Sequence, residues 1–333
     1  MTSPAVDRPE AGPQHPVRST PARAPGSVRR TTSLDIVRPD GLTGPVLADV
    51  RGQDVATAAD GTTRVVDRLA VTIEVDPRDG AVVAADEVTA SRSVGELVGE
   101  RTRGGFGRRL ADLLAPEAER RSLLYSALDD LSAALLVSGY PVLAAGMIPQ
   151  ARDQGEQRAR AQADICIGWA SGGPILDGLR RNGVAAVPSG PAAPVLEGDD
   201  PLGWHAMAPL ATDTVRRRRR LDVGAVDGHL QAHSHFRDSC ARVDGEMALH
   251  EYAVEARVDG EGRLTAVAVD PRVLPWTACP GAVASAGTLV GTAVAAIPAR
   301  TRAELVGPGT CTHLTSTLRC LADVPALARL ILL

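Results

Sequence analysis

The chain has 333 residues and a formal net charge of −4, and all 36 of its basic residues are arginine. That length allows two domains or one large one. The weak negative charge argues against a general polyanion binder, so no nucleic-acid partner is expected, and the absence of lysine excludes a P-loop. Apolar residues make up 44% and aromatics only 2%, so the core must be built from Ala, Val and Leu. Five cysteines without a secretory apolar region point to reduced thiols in a cytoplasm.

Residues 1–27 are rich in Pro, Ala and Arg without periodicity and read as a disordered tail. Residues 28–140 show short alternating segments followed by helical ones. Within them, Leu69 to Asp76 alternates as a half-buried strand, Asp79-Gly80 reads as a hairpin turn, and Leu124, Leu128 and Leu131 mark one face of a closing helix. The apolar stretch Leu131 to Ile148 is broken by Ser138-Gly139-Tyr140-Pro141. It therefore reads as a helix end followed by a buried strand, and no membrane span is expected. Residues 141–212 form a connector with loop signals at Pro188-Ser189-Gly190-Pro191 and Gly198-Asp199-Asp200-Pro201. It is too long for a plain linker and is expected to drape over one unit. Arg216 to Arg220 suits a phosphate patch or, more simply, a solvated segment entering a strand.

Residues 213–333 return to the order of the first stretch. Ala48 to Asp54 parallels Ala232 to Asp238, Leu69 to Asp76 parallels Tyr252 to Asp259, and Leu97-Val98-Gly99 parallels Leu289-Val290-Gly291. The common order and spacing predict an α+β fold of two related units arranged about a pseudo-twofold axis. The second unit alone carries His233, His235, His250, Cys279, Cys311 and His313. Asp49, Arg51, Asp67, Arg121 and Leu123 stand at the aligned positions of the first, where the loop of Cys279 is shortened away.

Cys311-Thr312-His313 follows Gly307-Pro308-Gly309 and precedes an apolar helical run, which places a thiol and an imidazole at a helix mouth. Two chemistries fit. A metal site, most plausibly zinc, would draw on His250, Cys279, Cys311 and His313, with His235 as a further ligand and Glu251 or Asp238 as general base. Alternatively, Cys311 is a nucleophile whose pKa is lowered by the helix end and a nearby histidine. Cys166 and Cys320 read as structural. No nucleotide-cofactor motif is present.

Several words in residues 216–325 resemble the DUF2889 family, a bacterial domain of unknown function. They are Arg219-Arg220, His235-Phe236-Arg237-Asp238, Leu249-His250-Glu251, Cys279-Pro280, Leu289-Val290-Gly291 and Thr310-Cys311-Thr312-His313-Leu314. The Cys-Thr-His-Leu word is the specific one, and Thr310 stands where the family usually has glycine. The segments Cys166-Ile167-Gly168-Trp169 and Asp199 to His205 are similar to a longer actinobacterial-type variant. The resemblance implies no established activity. The expectation is a metal-dependent hydrolase or lyase acting on a small organic molecule. The alternatives are a non-catalytic binding protein with a structural metal, or an enzyme with Cys311 as nucleophile.

Overall fold

The computed structural model describes residues 9–87, 94–148 and 151–331. Eight strands form one antiparallel sheet: β1 (Ser27–Val37), β2 (Val46–Thr57), β3 (Thr63–Val75), β4 (Val82–Glu87), β5 (Val215–Val226), β6 (His229–Arg242), β7 (Gly245–Val258) and β8 (Leu264–Val273). Their order is β4-β3-β2-β1-β5-β6-β7-β8. Each half is a four-stranded meander, and the halves meet where β1 pairs antiparallel with β5, from Ser27 opposite Gly224 to Ile36 opposite Val215. The turn expected at Asp79-Gly80 does join neighbouring strands, as does the one at residues 259–262, with Gly80 and Gly262 at positive φ where a side chain would be strained.

The helices are α1 (Phe106–Leu113), α2 (Ala115–Arg120), α3 (Leu123–Leu128), α4 (Leu131–Val137), α5 (Tyr140–Ala144), α6 (Gly155–Gln162), α7 (Pro174–Asn182), α8 (Ile297–Glu304), α9 (Thr312–Arg319) and α10 (Val324–Ile331). Alternation along each strand sends the apolar residues to one face. There Leu34, Val50 and Val71 meet Leu124, Leu128 and Leu131. Val223, Phe236 and Val254 meet Leu314, Leu318 and Leu321. The stretch after Ser138 does not become a strand. It continues as α5, because Pro141 sits in the first helical turn, where its missing N–H costs nothing. Leu123–Ala144 is long and apolar enough to cross a membrane by composition, yet three helices divide it and half of it is buried within the protein.

Arg216 to Arg220 is neither a solvated segment nor a phosphate patch. It lies in central strand β5 and is buried throughout. Each guanidinium meets a carboxylate: Arg216 with Asp35 at 2.6 Å, Arg217 with Asp238 at 2.8 Å, Arg218 with Glu246 at 2.7 Å, Arg219 with Asp130 at 2.7 Å and Arg220 with Asp222 at 2.8 Å. Pairing is what makes burial of such a run tolerable. Successive arginines point to opposite faces, so both faces of the sheet centre are ionic.

Residues 194–205 of the connector lie on the face away from the helices and touch both halves rather than one unit, whereas Ile167 bonds to Thr310 just before α9. His205 bridges Ser33 and Thr31 of β1 at 2.8 and 2.9 Å, Gln53 of β2 donates to the Leu202 carbonyl, and Arg237 of β6 donates to that of Pro194. The expected tail is likewise ordered over residues 9–26; residues 1–8 lie outside the described residues. Its backbone bonds to the end of β8 and beyond, through His15 N to Arg272 O at 2.8 Å and Leu274 N to Pro13 O at 3.0 Å. Composition hid this because main-chain pairing needs no apolar side chain. A side chain on Gly12 would meet the carbonyl oxygens of Trp276 and Leu274 at 2.6 and 2.8 Å. Gly12→Ala is therefore expected to cost about 1–3 kcal/mol in urea unfolding; an unchanged midpoint would show that the segment does not dock this way.

Candidate metal centre

Three ligand-type side chains meet on the helical face of β6 and β7. Arg217 of β5 stands opposite Asp238 of β6, which stands opposite His250 of β7. Shared parity turns all three toward α9, whose first turn carries His313. Asp238 Oδ2 lies 3.9 Å from His250 Nδ1 and 3.5 Å from His313 Nε2. The imidazoles stack with ring centroids 3.7 Å apart and planes 12° from parallel. One ligand atom from each of the three residues lies within 4.8 Å of the other two. Arg217 fixes the carboxylate from behind with two bonds of 2.8 Å, and its guanidinium sits 4.8 Å over the Phe236 ring.

Electrostatics keep the imidazoles neutral. Burial, with Arg217 adding to it, pushes His250 down to about 3. Burial, the neighbouring His250 and Arg217 together hold His313 well below its ordinary value. Burial also raises the Asp238 carboxyl, against the opposing pull of Arg217. His250 Nδ1 and His313 Nε2 are buried and have no hydrogen-bond partner. Leaving such atoms bare is costly, and a cation between them and Asp238 would satisfy both. Two metal–ligand bonds of roughly 2.0–2.2 Å span up to about 4.4 Å, which accommodates both distances to Asp238. Asp238 Oδ2 keeps a lone pair for an ion beside the one that Arg217 takes. The residues therefore fit a divalent ion, with His250, His313 and Asp238 as its holders.

The other expected residues fall elsewhere. Cys311 caps α9, and its Sγ lies 3.7 Å from His313 Nδ1, across the ring from Asp238, in apolar surroundings that raise its pKa by burial. Cys279 is on that thiol side and is not among the three clustered ligands. His235 and Glu251 are on the opposite face of the sheet, as strand parity requires, and form a separate buried group. His235 Nε2 is 3.0 Å from Glu251 Oε1, while Arg237 and the Val17 amide donate to the same carboxylate. Glu251 thus cannot serve as base at the His250 site. His233 is half exposed, 3.8 Å from Glu255. Arg217 was read only as one of the Arg216 to Arg220 run, because its place at the site is set by the register that puts it against Asp238.

The buried histidines set a pH response for the metal-free protein. Burial is the largest cause that holds His205 at about 3, His235 at about 4 and His250 at about 3, against an ordinary 6.5. Between those values and 6.5 the unfolded chain binds more protons than the folded one. Stability is therefore complete above 6.5 and is lost as pH falls toward 3–4. Urea midpoints should be lower at about pH 5 than at about pH 7.5; equal or higher midpoints at the acid pH would contradict the neutral, buried assignment.

No curated protein and no solved structure matches the chain. Residues 215–327, from the first residue of β5 into α10 and including Arg217, Asp238, His250 and His313, match the family DUF2889, described as a protein of unknown function.

Proposed function

We propose that this protein is a metal-dependent enzyme, a hydrolase or lyase acting on a small organic molecule, with zinc the best fit to its ligands. The observation that carries the reading is the pair of buried, unpartnered imidazole nitrogens facing one carboxylate oxygen. Two histidines and a carboxylate suit zinc, and three protein ligands leave a coordination position for water or substrate. When bound, such an ion supplies a Lewis acid and lowers the pKa of its water. The protein's part is to hold the ligands neutral or anionic by burial, to aim Asp238 through Arg217, and to fix the His250 and His313 planes by stacking.

A non-catalytic protein with a structural metal is the second reading. It is favoured by the low exposure of both histidine side chains, 15% and 11%. Metal analysis of untagged protein before and after a chelator tests the centre. Chelator-sensitive, metal-restored turnover across ester, amide and carbon–oxygen lyase substrates then separates the two readings.

We also infer that the two halves arose by duplication. Arg30 binds Asp54 at 2.7 Å and Asp323 at 3.1 Å, as Arg217 binds Asp238 at 2.8 Å and Asp130 at 3.5 Å. Register shifts follow Asp54 and Asp238 alike. On this reading the first half kept the ionic frame and holds Asp67 where the second has His250. Five free cysteines support a reducing, cytoplasmic setting.

A further inference from the structure

The sheet face away from the helices carries a cleft of about 520 Å³. Residues 14–18 of the N-terminal segment form one wall, and Ala253 of β7 with Asp270 and Arg272 of β8 form the rest. That volume is within the roughly 300–1,000 Å³ of small-molecule sites. Strand parity separates it from the metal centre. His250, Tyr252 and Val254 face α9 and the apolar core, so Ala253 faces the other way. The wall is tied down at both ends. Gln14 bridges to Val273, and His15 N donates to the Arg272 carbonyl at 2.8 Å. Val17 N donates to Glu251 Oε1 at 2.7 Å, and Arg237 Nη2 donates to the Val17 carbonyl at 2.6 Å. The cleft is therefore preformed, which lowers the cost of filling it.

Its lining carries more donors than acceptors. Two guanidiniums, Arg18 and Arg272, share the cleft with one carboxylate, Asp270. That carboxylate is already engaged, since Arg272 Nη1 donates to it at 3.0 Å. Arg272 Nε is buried and finds no acceptor. Arg18 is exposed and makes no ion pair among the described residues. A buried N–H without an acceptor is costly, and an anion in the cleft would supply one. Pro16, Val17 and Ala253 offer apolar surface beside these donors. Ala253 stands opposite Asp270 in the register, and its single methyl leaves room that a longer side chain would fill.

We propose that this cleft binds a small organic anion, a short apolar body with one carboxylate or phosphate head. Arg18 and Arg272 donate charge-assisted hydrogen bonds to the oxygens of the head, chemistry that both head groups share. The body packs on Pro16, Val17 and Ala253. Asp270 holds Arg272 in place and repels a second anionic group, so a single head is favoured over a polyanion. The sheet separates this ligand from His250 and His313, so it is not the molecule on which the metal centre acts, and its binding does not rest on that reading.

The test is calorimetric titration of the full chain with benzoate and with phenyl phosphate, and with benzyl alcohol as the uncharged probe. Saturable binding of at least one anion is expected, and none of the alcohol; the tighter anion identifies the head group. Arg18→Gln and Arg272→Gln should each weaken binding by about tenfold, the loss of one charged hydrogen bond. Because Arg18 is exposed, its variant should keep the wild-type melting temperature, so weaker binding there is not a loss of fold. Ala253→Leu, which fills the cleft, should abolish binding. Chelator-treated protein and His250→Ala should bind as the wild type does, which distinguishes failure here from failure at the metal centre. No binding of either anion to the wild type, equal binding of the alcohol, or unchanged affinity in Arg18→Gln overturns the proposal.

Discussion

Replacing His313 with alanine is expected to reduce the bound divalent ion from about one per chain to background. His313 Nε2 stands 3.5 Å from Asp238 Oδ2, and without it only two ligands remain. His250→Ala should do the same. Asp67→Ala is the control, since Asp67 faces Asp54 across β2 and β3 as His250 faces Asp238 across β6 and β7. A ligand that binds only the folded state adds about 2.7 kcal/mol at a hundredfold excess over its Kd. Excess zinc should therefore raise the melting temperature of the wild type and of Asp67→Ala, and leave the histidine variants unmoved. Metal content that is equal in His313→Ala and Asp67→Ala would remove the basis for the centre.

Arg217→Met is expected to be among the most damaging single changes to stability. Both Arg217 and Asp238 are fully buried and joined by two bonds of 2.8 Å. Removing the guanidinium strands a carboxylate in the interior, at a cost of about 3–5 kcal/mol. The double change Arg217→Met with Asp238→Leu removes the stranded charge as well and should recover much of that loss. Guanidinium unfolding of the four proteins of the cycle checks this. A double variant no more stable than Arg217→Met would mean that packing around Phe236, rather than charge, dominates there.

Local features were legible in the sequence where local physics decides them. Alternation identified the strands around Leu69 and Tyr252, glycines marked their turns, and Gly307-Pro308-Gly309 placed the start of α9 just before Thr312. What sequence could not supply was the pairing of elements. His235, Glu251 and His250 look like one ligand set until strand parity sends His235 and Glu251 to one face and His250 to the other. Asp238 was expected as one of two candidate bases, and the β5–β6–β7 register sets it between Arg217 and both imidazoles. A run of five arginines reads as solvated because nothing local announces five carboxylates drawn from β1, β5, β6, β7 and the segment before α4. Cys166 read as structural, and nothing local shows that its turn is tied to the residue before Cys311 by a backbone bond from Ile167 to Thr310.

The pairing of β1 with β5 also bears on how the chain reaches this state. These strands lie more than half the chain apart, yet they close the middle of the sheet. Contacts of such long sequence separation form slowly, because a large loop must be ordered first. During synthesis β1 must present an open edge until β5 emerges. That edge reads Arg29-Arg30-Thr31-Thr32-Ser33, with Asp35 beyond, and bare charge discourages a growing strand from pairing with other chains. The same ionic residues that lock the finished sheet thus guard the half-made one against aggregation.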